Sequence, residues 1–96
     1  MGYGICHSRL QTDGMANPIH RPDYQVFRVM LLEARKAKGL QQEQVAEQIG
    51  RMQSFVSKYE RGERRLDFPE FVIIADALGI DITAFVAEYR KRVVER

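Results

Sequence analysis

The chain of 96 residues contains one cysteine, Cys6, so no internal disulfide can staple it and nothing in it demands an oxidising compartment. No apolar run approaches the roughly 18 residues that a membrane span needs. Met1 to Leu10 lack the long apolar stretch of a secretory signal, so a cytoplasmic protein with no membrane partner is the expectation. A charge excess large enough to name a partner is missing too, since the formal net charge is only +2. Cys6-His7 has no second cysteine pair at metal-site spacing, and His20 stands apart from both. Ser54 and Ser57 have no histidine nearby in sequence to activate them, and no glycine-rich phosphate loop follows a strand. No catalytic residue, cofactor or metal is therefore expected.

What is present suits one folded domain. Hydrophobic residues make up 45% and charged residues 29%, which argues against disorder along most of the length. The charges are unevenly placed. From Arg51 to Arg65, five basic residues (Arg51, Lys58, Arg61, Arg64, Arg65) face two acidic ones, Glu60 and Glu63. From Asp67 to Glu88 there are five acidic residues and no basic one. Such a division gives one face a positive field and leaves another repelling polyanions; it would equally serve solubility alone.

Residues 1–22 differ from the rest. Gly2, Gly4, Gly14, Asn17-Pro18 and Arg21-Pro22 are turn formers and helix breakers with no apolar period running through them, so this stretch reads as a loosely ordered arm. Residues 23–96 read as the domain. Asp23 is placed to cap a helix carrying Tyr24, Phe27, Leu31 and Ala34 on one face, stopped at Gly39. A short helix from Gln41 or Gln42 turns Val45, Ala46 and Ile49 inward and ends at Gly50. Another, from about Gln53 to Arg61, buries Val56 and Tyr59 and closes at Gly62. A fourth starts near Asp67, tolerates Pro69 in its first turn and stops at Gly79. Asp81 caps a fifth, with Ile82, Phe85, Tyr89 and Val93 along it. Five helices with short connections predict an all-α bundle.

The stretch from Gln42 to Gly62 carries the function. Two short helices meet at Gly50, with small Ala46 at their closest approach and Ile49 and Val56 in the corner between them. This is the layout of a helix-turn-helix, whose second helix enters the major groove of DNA while the first lies across the backbone. On the second helix, Gln53, Ser54, Ser57 and Lys58 share the face opposite the buried one. Each can hydrogen-bond to base edges and none is acidic: Gln pairs bidentately with adenine, Lys donates to guanine, and a hydroxyl serves several edges. A merely solvated polar face has the same composition; the turn beside it favours DNA.

These residues resemble the Xre family of phage-repressor-like helix-turn-helix regulators from about Tyr24 to Phe85. The features in register are Arg35, Gly39-Leu40, Gln42-Glu43, Val45-Ala46 and Ile49-Gly50, then Gln53-Ser54, Val56-Ser57, Tyr59-Glu60-Arg61-Gly62 and Ala77-Leu78-Gly79-Ile80. The resemblance implies a five-helix lambda-repressor-like domain that binds a double-stranded DNA operator, most often to repress transcription. It implies base contacts from Gln53, Ser54, Ser57 and Lys58, a phosphate contact and a bracing role for Gln42, and a structural ion pair between Arg35 and Glu60. Where the family often has a small or hydroxyl residue before the reading helix, this chain has Arg51-Met52. Arg51 is placed for a phosphate, and Met52 is expected to pack on the core. Arg61, Arg64 and Arg65 follow in a loop suited to backbone contacts that position without reading.

The last helix carries Val86, Tyr89, Val93 and Val94, more apolar surface than so small a bundle needs. One reading helix spans few base pairs, so operator-level specificity calls for two half-sites and hence a homodimer, with Val86, Tyr89 and Val93 as its expected interface. A second reading stays open: a protein-interaction module, antitoxin-like or bridging, whose last helix docks another protein partner.

Overall fold

A computed structural model describes residues 22–94. They form five helices: α1 Pro22–Lys38, α2 Gln42–Ile49, α3 Gln53–Glu60, α4 Phe68–Leu78 and α5 Ile82–Val94. No strand occurs among the described residues. The arm expected over residues 1–22 lies outside them except for its last residue. Pro22 belongs to α1, where its missing N–H removes a donor that the first turn could not have paired. Asp23 consequently sits inside the first turn instead of capping it from outside, and its Oδ1 accepts the Tyr24 N–H at 3.1 Å.

The helix ends follow from local chemistry. Asp67 and Glu70 form a reciprocal capping box at the start of α4, with Glu70 N to Asp67 Oδ1 at 2.8 Å and Asp67 N to Glu70 Oε1 at 3.0 Å. Asp81 Oδ1 accepts the Ala84 N–H at 3.2 Å and so caps α5. The turn between α2 and α3 depends on Gly50, which takes φ 71° in the left-handed region that side chains avoid.

Leu31, Val45, Val56, Tyr59 and Ile74 are fully buried, one or more from each of α1 to α4. Burial of an aliphatic side chain of this size contributes about 1.5–3 kcal/mol. Behind them, Phe27, Phe71 and Phe85 form a ring cluster joining α1, α4 and α5, with centroids 5.2–6.1 Å apart. Met52 departs from expectation. It is 76% exposed at the N-cap of α3, because its extended backbone precedes the helix and Ile49 and Val56 already occupy the corner.

Candidate nucleic-acid interface

The α2–α3 pair presents one edge of α3 to solvent. Gln53, Ser54 and Lys58 are exposed, and Ser57 is half-buried where its Oγ accepts a hydrogen bond from Arg61 Nη1. No side chain caps the N-terminus of α3, because Met52 stands where a Ser or Asp would be.

Behind that edge, a chain of hydrogen bonds leads into the core. Arg35 and Glu60 are in contact, as the family resemblance implies. Arg35 Nε meets Glu60 Oε2 at 2.6 Å and Arg35 Nη2 meets Oε1 at 3.0 Å, with Glu60 only 4% exposed. Arg35 Nη1 also donates to the Leu40 carbonyl at 2.8 Å, which ties the α1–α2 turn to the pair. The hydrogen bond to Glu60, opposed by burial, raises the Arg35 pKa further, so its charge is permanent. Gln42 Nε2 donates to Glu60 Oε1 at 2.8 Å, and Gln42 Oε1 accepts from Gln53 Nε2 at 2.6 Å. The direction of this relay is dictated from inside. An ionised carboxylate only accepts, so Gln42 must offer it the amide nitrogen; its oxygen then faces Gln53, which must donate. Gln53 is left with one N–H and its carbonyl oxygen pointing outward.

The cationic residues are less free than their sequence suggests. Arg51 Nη2 and Arg64 Nη2 both donate to Glu70 Oε2, at 3.2 and 2.7 Å, and both guanidiniums lie over the Phe55 ring, 4.3 and 4.8 Å from its centroid. Arg61 pairs with Glu63 at 3.0 Å, and that hydrogen bond holds the Glu63 carboxyl below its ordinary range. Arg65 is exposed. Glu70 thus corrects the division of charge inferred along the chain, since an acid from the negative stretch serves the basic face.

Sequence reasoning placed Tyr24 on the apolar face of the first helix but missed its hydroxyl contact, and it missed Arg28 altogether. Arg28 Nη1 donates to the Glu60 carbonyl at 2.6 Å, and the Tyr24 hydroxyl accepts the Leu66 N–H at 3.0 Å, so α1 fixes both ends of the arginine loop. Neither contact has a periodic signature. Of the apolar residues expected at a dimer interface, Val86 is 42% exposed, while Tyr89 and Val93 are half-buried, Tyr89 against the core. A groove of about 440 Å³ runs beside them, lined by Tyr24, Phe27, Phe68, Phe71, Val86 and Tyr89 among others. Among the described residues no group of His, Cys, Asp and Glu is arranged to hold a metal, and no helix is long and apolar enough to cross a membrane. Cys6, His7 and His20 lie outside the described residues.

Comparison with known proteins agrees with this geometry. A family model described as helix-turn-helix matches residues 31–85, which cover α2 and α3 and reach into α5. Among solved structures, an XRE-family like protein from Pseudomonas syringae pv. tomato str. DC3000 is 43% identical. The alignment covers 78% of this chain and 92% of that one, with a TM-score of 0.72. A mutant of the restriction-modification controller protein C.Esp1396I shares the fold at 24% identity, covering 75% of this chain and 90% of that one, with a TM-score of 0.67. No curated protein matches significantly. The structure is that of a helix-turn-helix DNA-binding protein of the transcription-regulator type. The chain belongs to the Xre family.

Proposed function

We propose that the protein is a sequence-specific repressor that binds a palindromic operator as a homodimer in the cytoplasm. The observation that carries the reading is the outward amide of Gln53, whose polarity is set by the buried Glu60 carboxylate. One N–H and one oxygen side by side complement the N7 acceptor and N6 donor of adenine. Ser54, Ser57 and Lys58 read neighbouring base edges from the same helix. Gln42, Arg51, Arg61, Arg64 and Arg65 contact phosphates, and much of the affinity is lost as salt rises. Residues 23–96 act as the DNA-binding unit, preceded by the arm.

The apolar α5 surface, with Val86, Tyr89 and Val93, joins two copies so that their reading helices address half-sites about 34–36 Å apart. Sedimentation at micromolar concentration should show a dimer; an 11.1 kDa species alone would remove this part of the reading. The groove beside α5 favours one alternative, an interaction module that docks another protein there and leaves Lys58 open to acidic substitution.

Selection from a random duplex pool tests binding, specificity and half-site spacing together. Gln53→Ala and Lys58→Ala should each relax preference at one position, whereas Arg65→Ala should weaken all duplexes alike and lower the salt slope by about 1. Failure to enrich any sequence, or indifference of the enriched site to Gln53→Ala and Arg65→Ala together, would overturn the assignment.

A further inference from the structure

Arg51 comes from the α2–α3 turn and Arg64 from the α3–α4 loop, yet their guanidiniums converge on one atom, Oε2 of Glu70. Two like charges do not gather without cause. The carboxylate draws them together, and the Phe55 ring beneath both adds the attraction of its π face. Glu70 is itself immobilised. Its other oxygen, Oε1, accepts the Asp67 N–H of the capping box, so α4 fixes the carboxylate and the carboxylate fixes the arginines. Glu70 is 14% exposed at its side chain, whereas Arg51 and Arg64 keep 44% and 39%. Each guanidinium has five N–H groups, so donors remain on the exposed edges after the internal bonds are made.

We infer that Glu70 is a positioning residue for DNA: with Phe55 it holds Arg51 and Arg64 as one preorganised pair that grips a backbone phosphodiester and sets the register of α3 in the groove. This rests on the reading of Arg51 and Arg64 as phosphate contacts. Two arginines splayed by mutual repulsion would still attract DNA, since charge alone supplies non-specific affinity. They would not fix where the reading helix lies. The carboxylate subtracts one charge from the DNA-facing surface, so its contribution must appear as discrimination and not as raw attraction.

The readout is accordingly the ratio of affinities for the selected duplex and a scrambled one. Glu70→Gln retains an acceptor for the Asp67 N–H but loses the charge that gathers the arginines. Its affinity for the scrambled duplex should rise or hold while that for the selected duplex falls, lowering the ratio about tenfold. Glu70→Asp keeps the charge but is one methylene shorter; the ratio should fall again, with scrambled-duplex affinity unchanged. In an Arg51→Ala/Arg64→Ala background, Glu70→Gln should change the ratio no further. An equal change on both duplexes in Glu70→Gln and Glu70→Asp, or an undiminished effect in the arginine-less background, would overturn the inference while leaving the regulator reading intact. A wild-type ratio near one would instead sink the regulator reading, and this inference with it.

Discussion

The region around α2 and α3 and the region where α1, α4 and α5 meet differ in what fixes their geometry. In the first, Val45, Val56 and Tyr59 are fully buried, but the exposed edge is set by directed bonds: Arg35 to Glu60, Glu60 to Gln42, Gln42 to Gln53. In the second, Phe27, Phe71 and Phe85 meet ring to ring with no polar partner required, and a groove is left open beside them. Directed bonds fix which way a side chain points, whereas apolar packing fixes only how much space it fills. A surface that must present individual atoms is built by the first means, and one that presents area can be built by the second.

That contrast can be attacked. Arg35→Ala should cause the largest loss, about 3–5 kcal/mol by denaturant unfolding, because it strands the Glu60 carboxylate inside the protein. Replacing both partners with apolar residues of similar volume should recover much of it; equal losses in the single and double variants would show that charge is not what holds the pair. Gly62→Ala should cost about 2 kcal/mol, since φ is 78° and the added Cβ would stand 3.0 Å from Arg28 Nε. Phe85→Leu should cost only about 1.5 kcal/mol, with DNA affinity retained, because packing tolerates a change of shape. A loss as large as that of Arg35→Ala would erase the distinction between the regions.

The smallest effect concerns Tyr59, whose hydroxyl is buried without a hydrogen-bond partner among the described residues. Tyr59→Phe should stabilise the protein by about 1 kcal/mol at neutral pH. Burial, reinforced by the Glu60 carboxylate, raises the Tyr59 phenol well above its ordinary value of 10.0. A raised acid contributes stability that is complete below the unfolded value and lost as pH climbs past it. Thermal melts should therefore show alkaline destabilisation above about pH 10 that is smaller in Tyr59→Phe than in the parent.

The helices and their stops were legible because apolar spacing and capping residues are local signals: Asp67, Gly50 and Asp81 act where the sequence places them. The relay through Glu60 was partly legible, by family resemblance and not by spacing. Arg28, Phe55 and Glu70 were not. Glu70 closes the capping box of α4 with one oxygen, but its second oxygen reaches Arg51, 19 positions away, and no linear pattern encodes that. Met52 misled because a large apolar residue is ordinarily sheltered, whereas here backbone conformation places it outside.

The ionised state of Glu60 decides what the outermost amide can spell. With glutamine in its place, an amide could face Gln42 by either end, and the two glutamines beyond it would lose their enforced order. Reversed, Gln53 would show two donors and match guanine; unreversed, it would still match adenine. A buried charge that never touches the nucleic acid would thus separate an unambiguous letter from a blurred one.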